Sequence, residues 1–116
     1  MTPVEFVSRV RAADPRLDVV VDQNLADNDE LLLHLLVADL RRCAEAKHES
    51  RDFDLRDSVL AFMDSALADG DAALGNAVAV SFVEDSAWWE TGKEEYLEAW
   101  PITLTAELNR QRGART

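Results

Sequence analysis

At 116 residues the chain has the length of one domain, and its 47% hydrophobic content suits a core held without disulfide or metal, which excludes intrinsic disorder. A net charge of −11 argues against binding nucleic acid through its phosphates and against anionic membrane surfaces. It leaves two uses for the acidity: solubility, or attraction of a basic protein partner.

Thr2, Pro3 and Glu5 open a first helix as a capping hydroxyl, a proline at the first helical position and an acid in the first turn. Asp14 and Pro15 repeat the signal. Leu17, Val20, Val21 and Leu25 then recur at helical spacing, against the strand propensity of the valine run 19–21. Asn28, followed by Asp29 and Glu30, is expected to cap a third helix that runs to about Lys47. Residues 31–40 are apolar nearly all round, which predicts a central buried helix. Its later turns expose Arg41, Arg42, Glu45, Lys47 and His48.

Asp52 or Asp54 caps a helix of about sixteen residues whose buried stripe is Leu55, Val59, Phe62, Met63, Ala66 and Leu67, with Arg56 and Asp57 facing out. Asp69, Gly70 and Asp71 end it, with Gly70 in a left-handed turn and Asp71 as the next cap, so the two helices form an antiparallel hairpin. Residues 71–85 are read as a second buried helix, since a strand has no partner among helices. Gly75, Ala77 and Ala79 are expected to admit close neighbours. Residues 86–91 form a loop, 92–100 a short helix, and Pro101 starts a last helix with Ile102, Leu104 and Leu108 inside. Residues 113–116 are expected to fray. The expectation is an all-α fold: a single compact domain of five to six helices, with antiparallel hairpins around two central buried helices. No apolar run reaches the roughly 20 residues of a membrane span. The chain opens without a signal-peptide pattern, and its lone cysteine, Cys43, has no internal disulfide partner. A cytoplasmic location is therefore expected.

The apolar LLLHLLVADLRR stretch, the Asp69–Gly70–Asp71 turn and the following NAVAVSFVED stretch resemble a family of small, mostly uncharacterised all-helical bacterial proteins. The most specific piece is Asn76-x-x-x-x-Ser81-Phe82-x-Glu84, and the similarity covers about residues 6–108. Some of that family resemble immunity proteins of polymorphic toxin systems. The resemblance implies a non-enzymatic inhibitor with a cognate toxin as partner and implies no catalytic residues.

Catalytic and metal-binding patterns are weak. Glu45 and His48 have Glu-x-x-His spacing without the second copy a di-iron bundle needs. Glu30 and His34 are two ligands and not a site. Cys43 reads as a small core residue, and Ser81 has no evident base. The four glycines are scattered, so no phosphate loop is present. No metal or cofactor is called for, and no enzymatic activity. Asp39, Asn76, Ser81 and Glu84 fall in stretches expected to be buried, where a polar network fixing helix register outweighs an active site. An enzyme built on Asp39 and Glu84 is the weaker alternative.

The segment 84–100 stands apart. It carries Glu84, Asp85, Glu90, Glu94, Glu95 and Glu98 with Trp88, Trp89, Tyr96 and Trp100. Tryptophan and tyrosine dominate interface energies. Because Trp88 and Trp89 are adjacent, at least one should be exposed. These ten residues are the candidate surface for a basic protein partner. The alternative is that the aromatics pin the segment to the bundle and the acids are a solvated face, as in an adaptor domain whose acidity serves solubility. A second acidic cluster lies at Asp22, Asp27, Asp29 and Glu30.

Overall fold

The computed structural model describes residues 1–28 and 32–115, with the side chain of Arg115 left aside. Among the described residues seven α-helices follow one another: α1 (Pro3–Ala13), α2 (Pro15–Asn28), α3 (Leu33–Glu49), α4 (Phe53–Asp69), α5 (Ala72–Val78), α6 (Glu94–Glu98) and α7 (Ile102–Arg115). There is no strand among the described residues. The Cα radius of gyration is 13.4 Å, the value of about 13 Å expected for one compact domain of this length.

Local chemistry sets most of the boundaries. The Thr2 hydroxyl accepts the Glu5 N–H at 3.2 Å, Asp52 accepts Leu55 N–H at 3.4 Å, and Asp71 accepts Leu74 N–H at 2.9 Å. Each satisfies one of the N–H groups that a helix start leaves free. Gly70 differs from the expected left-handed turn. Its backbone is extended at φ −72°, and a glycine is needed for space, since a Cβ there would lie 2.1 Å from the Ala66 carbonyl oxygen. Gly75, by contrast, faces open space and supports no close helix approach.

Short connections fold α4 back on α3 and α5 back on α4. α3 packs against α2, α4 and α5, while α4 also touches α1 and α7. Phe6, Leu17, Leu36, Leu40, Leu60, Met63, Leu74, Phe82 and Leu104 fill the shared core. The helix at 71–85 is confirmed over the strand alternative, but it is not uniform. After α5 the chain widens into a π-helical turn (Ala79–Val83) and tightens into a 3-10 turn (Glu84–Ser86). The Gln111 side chain of α7 donates to the Ala79 carbonyl at 3.0 Å, where the helical ladder is disturbed.

Several expectations fail for identifiable reasons. Asn28 ends α2 instead of capping α3, and its side chain donates back to the Asn24 carbonyl at 2.9 Å. The proposed dipole acids Asp29 and Glu30 lie outside the described residues. α3 starts at Leu33 and is amphipathic, with His34 and Leu35 exposed. Arg56 points inward, only 9% exposed, because Phe53 and His48 give its guanidinium a stacking face and an acceptor. Ile102 is 84% exposed in the first turn of α7, while Leu104 and Leu108 are buried as expected. α7 remains helical through Gly113 to Arg115, where a frayed tail was expected.

Candidate functional site

The left-handed Ala87 (φ 54°, ψ 44°) ends the 3-10 turn and turns the chain into a loop. The Ser86 hydroxyl, buried, donates to the Val83 carbonyl at 2.6 Å and holds the last turn closed. Glu90 N–H closes a turn onto the Ala87 carbonyl at 3.0 Å, and Gly92 takes φ +93°, a value that favours glycine. The Glu94 carboxylate accepts the Gly92 N–H at 3.0 Å, just before α6 begins.

This loop separates the four aromatics. Trp89 is 52% exposed and meets Trp88 edge-on, with ring centroids 5.3 Å apart. Trp88 is half-buried against the core and carries the Arg112 guanidinium over its ring at 5.7 Å. Tyr96 and Trp100 are taken up by the core, and Trp100 packs against Phe82 at 5.5 Å. Neither is available to a partner, so both leave the candidate surface. Glu84, Asp85, Glu90, Glu94, Glu95 and Glu98 are all exposed. Among the described residues, Glu95 alone of these six is in an ion pair, with Arg51 at 2.6 Å. That guanidinium holds the Glu95 carboxyl below its ordinary value. Arg41 reaches the segment through the Asp85 carbonyl at 2.8 Å.

The expected buried network of Asp39, Asn76, Ser81 and Glu84 does not form, and among the described residues the polar contacts of Asp39 and of Ser81 are separate from one another. Asn76 and Glu84 are exposed and line one groove with Arg110, while Asp39 lines another with Val19 and Cys43. Asp39 pairs with Arg42 and accepts weakly from the Asn24 amide at 3.4 Å. Ser81 does have a basic partner: its hydroxyl is 2.8 Å from His34 Nδ1 and ties the π-helical turn to the start of α3. Asn24, fully buried, and Arg56 are buried polar residues that helical periodicity misses. In the second acidic cluster, Asp22 pairs with Arg11 and Asp27 accepts from Gln23. Asp29 and Glu30 are outside the described residues. Burial is the main influence raising the Cys43 thiol above its ordinary value, which disfavours the thiolate a nucleophile needs. Among the described residues, no three His, Cys, Asp or Glu side chains gather as metal ligands would. No helix of the described chain is long and apolar enough to cross a membrane.

His48 and Glu45 are not at a solvent-exposed polar end of α3. His48 sits between Phe53 and Tyr96, with ring centroids at 5.8 and 5.3 Å. Its Nδ1 lies 2.9 Å from the Arg56 guanidinium, which can only donate, so Nδ1 accepts. Glu45 is shared between Arg41 at 3.2 Å and Lys93 at 3.3 Å. Glu45, His48 and Lys93, with Glu49, Tyr96 and the 91–92 turn, line a cleft of about 250 Å³. The Tyr96 hydroxyl and the Trp100 indole N–H are buried without hydrogen-bond partners among the described residues. Burial first, and the charge of Glu45 second, push the Tyr96 phenol above its ordinary value. The nearby Trp100 indole partly offsets this, but its approach falls short of hydrogen-bond geometry.

A family model described as a domain of unknown function (DUF7674) matches residues 7–112, and the chain belongs to that family. No curated protein and no solved structure matches the chain.

Proposed function

We propose that this DUF7674 chain is a non-enzymatic binding protein whose acidic face occludes a basic protein partner. The observation that carries the reading is Trp89, a large aromatic left 52% exposed beside acids that lack ion-pair partners among the described residues. An exposed tryptophan ringed by polar groups is the usual composition of an interface anchor. Glu84, Asp85, Glu90, Glu94 and Glu98 supply the field that steers a positive surface toward it. Trp88 supports Trp89 from below instead of entering the partner.

The finer reading is an immunity-type inhibitor of a bacterial toxin. Its support is the resemblance carried by residues 31–42 and 76–85. A toxin that handles nucleic acid has a basic active site and so complements this face. The protein acts where the toxin is met, in the cytoplasm. Its mechanism is occlusion: the acids speed encounter, and Trp89 fills a pocket and slows release.

The test is co-expression with each neighbouring gene, scoring rescue from toxicity and co-purification. For a captured partner, Trp89→Ala weakens binding by about 30-fold, the equivalent of about 2 kcal/mol, mainly through faster dissociation. Charge reversal at Glu90 and Glu94 slows association and flattens its salt dependence. A partner whose binding ignores both changes removes this surface. A stable partner with no toxicity to relieve points instead to an adaptor role.

A further inference from the structure

We infer that Glu45 of α3 is a positioning residue, which through Arg41 and Lys93 clamps both ends of the loop that presents Trp89. Its use in binding rests on the acidic-face reading, whereas the clamp itself is a property of the free protein. The loop leaves the core at the 3-10 turn (Glu84–Ser86) and returns at the start of α6. Inside it, Glu90 N–H bonds the Ala87 carbonyl and Gly92 N–H bonds the Glu94 carboxylate, at 3.0 Å each. Both bonds are local. They shape the loop but do not fix its direction relative to the helices.

Contacts from α3 supply that direction. At the leaving end, the Arg41 guanidinium donates to the Asp85 carbonyl at 2.8 Å, a normal length for a charge-assisted bond. Carbonyls in the last turn of a helix lack an intrahelical donor, so a side chain from elsewhere can take this one. At the returning end, the Lys93 ammonium donates to Glu45 Oε2 at 3.3 Å. The other oxygen of the same carboxylate, Oε1, accepts from Arg41 at 3.2 Å. One carboxylate therefore joins the two ends of the loop. Arg41 and Glu45 are one turn apart on α3, base before acid, the order that supports an isolated helix less well. Their pairing is better explained by what each reaches across the fold. The Arg41, Glu45 and Lys93 side chains are only 17%, 23% and 25% exposed, which shelters them from the solvent that weakens open surface pairs. Between the clamped ends Trp88 packs on the core and meets Trp89 edge-on, so the outward direction of Trp89 follows from where the ends are held. A loop held this way enters a complex already ordered and avoids part of the entropy cost of binding.

The experiment has two arms. The first follows amide hydrogen exchange by NMR in the full chain without a partner. Glu45→Ala and Lys93→Met are each expected to quicken exchange of the Glu90 and Gly92 amides roughly tenfold, while core amides of α1 and α4 keep their wild-type rates. A contact that only stabilised the whole fold would quicken the core amides as well. Unchanged exchange at Glu90 and Gly92, or a rise shared equally by the core, overturns the clamp. The second arm titrates the partner captured by co-expression. Lys93→Met removes a positive charge beside the acidic face, so electrostatic steering alone would tighten binding, whereas loss of the clamp weakens it roughly fivefold. Glu45→Ala should weaken binding to a similar degree in the wild-type background and by less than about twofold in a Trp89→Ala background, because it acts through that side chain. Tighter binding by Lys93→Met, or an equal effect of Glu45→Ala in both backgrounds, overturns the positioning role. A partner indifferent to Trp89→Ala, or no partner at all, instead refutes the acidic-face reading, and the exchange arm then decides the clamp by itself.

Discussion

Removing one oxygen from the core should make this protein more stable. The Tyr96 ring is held by His48 on one side and Trp100 on the other, at centroid distances of 5.3 and 5.8 Å. Its hydroxyl, however, is buried with no hydrogen-bond partner among the described residues. A buried polar group without a partner costs about 1–3 kcal/mol. Tyr96→Phe abolishes that cost, keeps both ring contacts and forfeits only the dispersion of a single atom, a few contacts of about 0.1–0.2 kcal/mol each. The net gain is about 1 kcal/mol. At roughly 2.1 cal/mol/K of unfolding entropy per residue, a chain of this length gains about 4 °C in Tm. Urea unfolding should show a higher midpoint at unchanged slope, because the surface exposed on unfolding is the same. A loss of about 1 kcal/mol or more would refute the reasoning, since it would mean the hydroxyl has a partner, for instance an ordered water.

The same phenol sets a pH dependence. Its folded pKa lies above the ordinary value of 10.0, so the stability it contributes is complete below that value and falls as pH rises beyond it. Tyr96→Phe should remove that alkaline slope in urea titrations. On the acid side, Glu107 is held below its ordinary value, first by Arg110, so its contribution is complete above the ordinary carboxylate range and fades as pH falls through the folded pKa. Glu107→Gln should flatten stability against pH below about pH 4.5. Asp64 of α4 accepts the Leu104 N–H at 2.9 Å and so caps α7 from a distant helix. Asp64→Ala should cost about 1 kcal/mol in chemical denaturation, while Asp64→Asn keeps most of it. Cys43, half-buried and with its thiol pKa raised, should be alkylated more slowly in the native protein than in urea.

Residues acting on their own neighbours were readable in the chain. Thr2, Asp52 and Asp71 cap the helices that follow them. The stripe through Leu55, Val59, Met63 and Ala66 is buried where its period puts it. What escaped was chemistry supplied across the fold. Arg56 reads as a solvent charge until Phe53 and His48 are known to meet it. The cap of α7 comes from Asp64 and not from the residues before Pro101. The π-helical turn has its Gln111 support 32 positions away. At the candidate surface, adjacency alone separated Trp88 from Trp89, but which of them faces solvent depends on the turn at Ala87. Tyr96 and Trp100 look like interface residues by composition and are core residues by position, because α6 and the turn that follows it press them against His48 and Phe82.

The most direct test of the acidic-face account is rescue by a face variant. Wild-type protein and a Trp89→Ala, Glu90→Lys, Glu94→Lys variant would each be co-expressed with the neighbouring genes, with circular dichroism confirming that the variant is folded. The account predicts that the wild type relieves the toxicity of one neighbour and co-purifies with it, and that the variant does neither. Rescue by the variant equal to that of the wild type would contradict it.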